Sequence, residues 1–512
     1  MFSYTNLIIA TILIYLIGMV LIGFYYSKKN KNVDDFYLGG RKLGPIVTAM
    51  SAEASDMSSY LLMGLPGLAV AFGLAEVGWT ALGLAVGTYI NWLIVAKRIR
   101  IYSQRIGAIT VPDFFSKRFH DKSNILTLIA AIVIIVFFIP YTASGFSACG
   151  KLFESLFGID YKVTMIISAA IIVVYTTLGG FTAASVTDLI QSIIMTVALV
   201  ILVIFGIKTA GGWSNVVENA KSIPAYLNLT STSDGAGGTS PYGALTIAST
   251  LAWGLGYFGM PHILLRFMAV ENKNKLKTSR RIASIWVVIA MGVAILIGVI
   301  GRAIIDGGTL SAENLVGDRE RIIIRLSGIL SQAGPLFAVT AGIILAGILA
   351  ATMSTADSQL LAASSSVSQN ILRDVLKINI SEKKAVIIAR LSVIAISIIA
   401  VFLALDPDSS VFKIVSFAWA GFGAAFGPIM LFSLFWKRTT KWGALAGMIS
   451  GGAMVFIWKF LIAKIGGIFE IYELLPAFVI SAIFIVVVSL LTKAPEEEIV
   501  NEFNDVKAEL KN

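Results

Sequence analysis

One pattern repeats along the whole chain: an apolar run of about 20 residues, closed by a short polar or basic connection. As an α-helix such a run rises about 30 Å, the thickness of the hydrocarbon core of a bilayer. Thirteen helices of this kind are expected at 5–26, 44–71, 74–96, 123–148, 160–178, 187–208, 241–268, 280–303, 334–362, 383–404, 411–435, 441–462 and 472–492. The chain is 57% hydrophobic and 14% charged, against about 25% charged for a soluble domain. No stretch is long and polar enough to form a separate soluble domain. The fold class expected is an all-α polytopic membrane protein, one transmembrane domain over 1–512. The run from Leu7 to Tyr26 is too long for a cleavable signal peptide. No basic segment precedes it and no small-residue cleavage site follows, so it reads as a retained first helix.

The net charge of +10 does not mark a nucleic-acid binder, because the basic residues lie in connections between apolar runs. Lys28, Lys29, Lys31, Arg41 and Lys42 follow the first run, and further groups lie between Lys97 and Lys122, Lys273 and Arg281, and Arg373 and Lys384. Alternate connections are poorer in Lys and Arg. The positive-inside rule then predicts an external N-terminus and a cytoplasmic C-terminus, which an odd number of helices also requires. Cys149 is the single cysteine, and His120 and His262 are far apart in sequence. No zinc, haem or iron–sulfur site is expected, and no cofactor. The bilayer is the one partner expected besides small molecules, with no obligate protein partner evident. Residues 228–241 read as a flexible external loop whose Asn228-Leu229-Thr230 sequon is a chance match. Residues 311–331 read as a short external helix, and the acidic tail from Glu496 as a solvated end.

Three interruptions of the helical pattern carry the functional signal, because polar groups at membrane depth survive only inside protein or beside a cavity. The first is Ser51-Ala-Glu-Ala-Ser-Asp-Met-Ser-Ser59, mid-span, with Glu53 and Asp56 and then Gly64, Pro66 and Gly67. A second lies at Trp253-Gly-Leu-Gly-Tyr-Phe-Gly-Met-Pro261-His262, where glycines and a proline weaken a helix. Trp253, Tyr257 and Pro261 are spaced by four, so they share a face where the helix holds. In the third, Ala351-Thr-Met-Ser-Thr-Ala-Asp-Ser-Gln359, a small-residue helix carries Ser354, Thr355, Asp357 and Ser358. Close helix packing is the competing reading there. Asp188, Gln191 and Pro140-Tyr141 are weaker signals.

These groups offer hydroxyl, carboxylate and carbonyl oxygens without sulfur or imidazole, which suits a hard cation such as Na⁺. The two breaks lie in the second and seventh helices, five apart, as two five-helix inverted repeats require. A channel would need a continuous polar pore, whereas polarity here is confined to short mid-span patches. An enzyme would need an acid–base pair or metal ligands near the interface, and none is evident.

At these residues the chain resembles the sodium/solute symporter family, nearest its sodium/proline symporters. The matching stretches include Leu38-Gly-Gly-Arg41, Ala54-Ser-Asp-Met-Ser58, Met63-Gly-Leu-Pro-Gly67, Thr110-Val-Pro-Asp-Phe114, Tyr141-Thr-Ala-Ser-Gly145, Trp253-Gly-Leu-Gly-Tyr257, Met353-Ser-Thr355 and Ala418-Trp-Ala-Gly-Phe-Gly423. The resemblance implies a LeuT-like 5+5 core over 44–435, a peripheral helix at 5–26, two C-terminal helices within 441–492 and a cytoplasmic tail at 493–512. It implies a sodium site of Ala54, Met57 and Ala351 carbonyls with Ser354 and Thr355 hydroxyls, Asp56 nearby. It also implies a solute site of Ser58, Tyr141, Trp253, Tyr257 and Pro261, and Na⁺-driven uptake of L-proline by alternating access. Pantothenate, a sugar acid or another amino acid is the alternative solute. The pattern departs at Glu53, Ser59, Tyr60 and Asp357. Asp188, Asp357 and Ser358 together suggest a second sodium site, with a bond from Asp357 to a polar neighbour such as Gln191 as the alternative.

Overall fold

The computed structural model describes residues 3–29, 32–233, 238–311, 319–379, 381–406 and 411–510. Among them, ten helices are long and apolar enough to cross a membrane. The expected count of thirteen differs for a physical reason. The segments 45–72 and 244–269 are broken into pieces too short to qualify alone. Tyr161–Thr209 runs for 49 residues, about 74 Å of helix, far more than a bilayer spans. It breaks at Gly180 (φ 65°, ψ −166°), a conformation glycine adopts without a Cβ penalty. Several helices also outrun their expected ends: Leu74–Arg105, Ile125–Phe157 and Pro335–Val375 extend past the apolar run into polar turns.

Burial sorts the helices. Pro335–Val375 and Val411–Phe435 are 72% and 83% buried over their apolar windows. Thr5–Ser27, Lys441–Ile465 and Leu474–Leu491 are only 33%, 33% and 28% buried. Their outward residues are large and apolar, such as Ile14, Ile17, Leu461 and Leu491. In water such a surface would aggregate; facing lipid it needs no cover. The two C-terminal helices meet through Gly443, Gly447 and Gly451, spaced by four. A Cβ at these positions would lie 2.0 Å from Ser489 Oγ, 2.2 Å from Ile485 and 3.0 Å from Ser481 Cβ, and at Gly451 also 2.2 Å from the Ala424 carbonyl of helix Val411–Phe435. Small residues let helices approach where lipid supplies no hydrophobic drive.

Two regions correct the sequence reading. Residues 231–233 and 239–241 pair as a short antiparallel hairpin within the expected loop. The tail expected to be solvated instead forms helix Glu497–Glu509, with Ile499, Phe503 and Val506 buried. Its polar side is tied by Arg105 to Asp505 (2.7 Å) and by Lys273 to Glu509 (2.9 Å). Its hydrogen bond from Lys273 holds the Glu509 carboxyl below the usual range. Of the expected helix at 311–331, residues 312–318 lie outside the described set. Its remainder is a short turn, Arg319–Arg321, followed by helix Ile322–Ser331.

Candidate ion and solute site

The first broken helix runs Pro45–Ser59, widens through a π-helical turn at Tyr60–Gly64 and resumes at Leu65–Phe72. Ser58 takes φ 51°, ψ −170° inside it. For a residue with a Cβ this costs of order 1–3 kcal/mol, a strain that concentrates at functional sites. The second broken helix runs Ala244–Leu251, then a seven-residue 3₁₀ stretch Ala252–Phe258, then Pro261–Ala269. Four-residue spacing does not hold one face in a 3₁₀ helix of three residues per turn. The shared face expected for Trp253, Tyr257 and Pro261 is therefore absent, and Pro261 opens the next helix. Side chains take up carbonyls of this stretch: Asn91 donates to Tyr257 O (3.0 Å) and Trp419 Nε1 to Trp253 O (2.8 Å). The stretch can sit this deep because Gly83 and Gly87 admit it. A Cβ on Gly87 would lie 2.4 Å from the Gly254 carbonyl.

Opposite the first break lies helix Pro335–Ser365. Its Ser354 hydroxyl is within hydrogen-bond distance of the Ala54 carbonyl across the interface (2.8 Å) and the Ala351 carbonyl on its own helix (3.2 Å). Thr355 Oγ1 lies 3.2 Å from Ala351 O. Four of the six expected ion-site residues thus meet in one buried patch of oxygens. Met57 is not bonded into that patch; its carbonyl accepts from Tyr60 N. Asp56 faces the other way: one carboxylate oxygen accepts from the Tyr257 hydroxyl, joining the two broken helices. Its Oδ1 is buried without a hydrogen-bond partner among the described residues.

Beside Asp56 lies a small cavity lined by Met57, Ser58, Tyr60, Tyr141, Trp253 and Trp419. It has about 250 Å³ of empty space, of which about 10 Å³ is open to the centre of a water-sized molecule. Of the residues expected at the solute site, Ser58, Tyr141 and Trp253 are in this lining; Tyr257 bonds to Asp56 from outside it, and Pro261 is not in the lining. Aromatic rings form the wall. Trp253 stacks with Tyr60 (5.8 Å), Phe412 (5.8 Å) and Tyr472 (5.0 Å), and Tyr257 meets Trp419 edge-on (5.2 Å). Tyr60, one of the departures, is thus part of the wall. Glu53, another, turns away from the cavity: its Oε1 accepts from Trp92 Nε1 (2.8 Å) and Thr88 Oγ1 (3.2 Å).

Asp188, Asp357 and Ser358 come together as expected, but around a residue the sequence reading left aside. Arg266 Nη2 lies 3.0 Å from Asp188 Oδ2 and 2.5 Å from Ser358 Oγ, and Ser51 Oγ is 2.6 Å from the same Asp188 oxygen. Both members of the Arg266–Asp188 pair are buried, at 1% and 0% side-chain exposure. Asp357 bonds to Ser358 Oγ (3.0 Å) and Tyr175 OH (2.9 Å). Gln191 bonds to Tyr15 instead (3.0 Å), so Tyr175 is the neighbour Asp357 uses. A lone arginine in an apolar run was the signal that could have located this cluster, since such a charge demands a buried partner.

Two broken helices joined through Tyr257 and Asp56, beside an aromatic cavity and with a patch of oxygens between the first of them and helix Pro335–Ser365, define a secondary transporter of the inverted-repeat kind. Comparison with known proteins makes the class specific. The model of the sodium:solute symporter family matches residues 36–451, and the chain belongs to that family. It is 44% identical over 491 residues to the osmoregulated proline transporter OpuE of Bacillus subtilis, covering 95% of both chains. It is 42% identical over 503 residues to the sodium/proline symporter of Escherichia coli, covering 98% and 96%. Among solved structures it resembles a Na⁺-coupled sialic acid symporter in a substrate-bound, outward-open state, with TM-score 0.79 and 20% identity over 97% of this chain and all of that one. The nucleobase-cation symporter Mhp1 aligns with TM-score 0.52 and 14% identity, covering 92% and 98%. These likenesses give the fold, a LeuT-like arrangement of helices.

Proposed function

We propose that this chain couples inward Na⁺ flow to uptake of L-proline by alternating access. The observation that carries the reading is the Ser354 hydroxyl set against the Ala54 carbonyl, directly beside the broken turn that lines the aromatic cavity. An ion there would bridge the helix Pro335–Ser365 to the first broken helix, so its presence and the shape of the cavity are linked. The assigned ligands are the carbonyls of Ala54, Met57 and Ala351 and the hydroxyls of Ser354 and Thr355. Asp56 tunes the charge nearby. The solute lies among Ser58, Tyr141, Trp253 and Tyr257, where aromatic faces suit a pyrrolidine ring and freed backbone groups suit its carboxylate and amine. Names of relatives at 42–44% identity support proline.

Charge balance supports a second Na⁺ at Asp188, Asp357 and Ser358. Two buried carboxylates face one guanidinium, so a fully ionised cluster retains one negative charge that a proton or a cation must meet. Entry of the ion at Asp188 requires Arg266 to move off Ser358. In this reading the chain crosses the cell membrane thirteen times, with its N-terminus outside and C-terminus in the cytoplasm. The ten-helix core occupies 44–435, flanked by the helix at 5–26 and the two within 441–492. Purified protein in liposomes, loaded with a panel of radiolabelled solutes under a Na⁺ gradient, tests it. Saturable proline uptake is expected; uptake of pantothenate or a sugar acid in place of proline would redirect the solute assignment.

A further inference from the structure

The C-terminal helix docks so as to bring the half-buried His120 against two carboxylates. His120 follows helix Val111–Arg118 in a left-handed turn (φ 48°). Its N–H bonds back to Lys117 O (3.2 Å), and that of Asp121 to Ser116 O (2.9 Å). This backbone arrangement fixes where the imidazole points. Glu498 and Glu502, four apart and hence on one face of helix Glu497–Glu509, meet it. Nε2 of His120 is 3.0 Å from Glu502 Oε1, and Nδ1 is 3.8 Å from Glu498 Oε2. One donor atom from each of the three lies within 4.8 Å of the others. Independently, the second carboxylate oxygen of Glu502 is buried with no hydrogen-bond partner among the described residues. His120 and Glu502 also open onto a cavity, about 580 Å³, that Asp113, Asp121 and Asp374 line.

We infer that His120, Glu498 and Glu502 form a binding site for a divalent transition-metal ion, Zn²⁺ being the probe, which pins the C-terminal helix to the turn after Arg118. An imidazole with two carboxylates suits Zn²⁺ and its neighbours, whereas Mg²⁺ and Ca²⁺ prefer all-oxygen sets. Donors around a tetrahedral ion at about 2.0–2.1 Å stand roughly 3.3 Å apart. His120 Nε2 and Glu502 already stand close to that spacing, at 3.0 Å; a single ion takes one ring nitrogen, so Glu498, now nearest Nδ1, swings its exposed side chain to the Nε2 side to complete the set. The adjoining cavity gives water access for the fourth position. The contacts of Ile499, Phe503, Asp505 and Glu509 hold the helix against the body without the metal, so that His120 and Glu502 are presented together and the ion adds a further tie through Glu498.

The experiment is calorimetric titration of Zn²⁺ into full-length, tag-free, chelator-stripped protein in detergent at neutral pH, with Mg²⁺ as control. The expected result is saturable binding of one Zn²⁺ per chain, not displaced by excess Mg²⁺ and weakened at least tenfold by H120A and by E502Q. Absence of saturable binding, or binding unchanged in both variants, overturns the proposal. Should the variants fail to fold, Cu²⁺ bound to the unmodified chain is read by pulsed electron paramagnetic resonance. Coupling to a single imidazole nitrogen set is expected; its absence overturns the assignment.

Discussion

Ser354 and Ala54 are 300 residues apart in sequence and 2.8 Å apart in space. If that contact marks the ion, Ser354→Ala and Thr355→Ala each remove one hard ligand. Each is expected to raise the Na⁺ concentration for half-maximal uptake about tenfold or more, since 1.4 kcal/mol is a factor of ten. Uptake assayed against a Na⁺ series checks this. Trp253→Ala, which removes the ring at the centre of the stack with Tyr60, Phe412 and Tyr472, is expected to raise the apparent KM for proline by about the same factor. Unchanged saturable proline binding would place the solute elsewhere. The cluster around Arg266 makes a third prediction. Removing the guanidinium leaves Asp188 buried and unpaired, a cost of about 3–5 kcal/mol. Arg266→Ala should lower the Tm of the purified protein clearly, and Arg266→Ala with Asp188→Asn should recover part of the loss. A Tm equal to that of the unmodified protein would show that the pair carries no stability.

At the scale of elements, the two breaks were legible because their residues contradict a membrane helix in kind: carboxylates and serines in one, glycines and a proline in the other. Their geometry was not legible. Ser58 adopts a positive φ that nothing about serine announces, and the 3₁₀ winding of Ala252–Phe258 moves Pro261 out of the lining. Arg266 was missed because its partners sit 78 and 92 residues away, each on a different helix. The docked tail was missed although Ile499, Phe503 and Val506 repeat at four and three residues, which is the stripe of a helix with one buried face; acidic composition drew attention from it. The depth of the 3₁₀ stretch rests on Gly83, Gly87 and Gly254. Gly254→Ala would put a Cβ 2.2 Å from the Gly83 carbonyl, and no side-chain adjustment relieves a clash with backbone. This variant is expected to lose uptake while Gly107→Ala, at a position with open space, changes it little more than its backbone strain requires. Equal uptake in the two would show that the close approach is dispensable.

For the molecule as a whole, the account is one of coupling: the oxygen patch at Ala54 lies on the same helix, three residues before the broken turn at Met57–Ser58 that lines the aromatic cavity, so that filling one is linked to the shape of the other. The cavity as it stands is small, and alternating access requires it to change shape as the solute enters and leaves. Stoichiometry is a property of this scale. Should Asp188, Asp357 and Ser358 hold a second coupled Na⁺, two net charges accompany each zwitterionic proline, and Asp357→Ala reduces the ratio to one; a ratio of one in the unmodified chain removes that ion from the cycle. Most direct for the central claim is radiolabelled proline uptake into proteoliposomes holding the purified chain, with an inward Na⁺ gradient against an equal K⁺ gradient. The account predicts accumulation above equilibrium that needs Na⁺ and is abolished when the Na⁺ gradient is collapsed. Uptake of equal rate and extent with K⁺ in place of Na⁺ would contradict it.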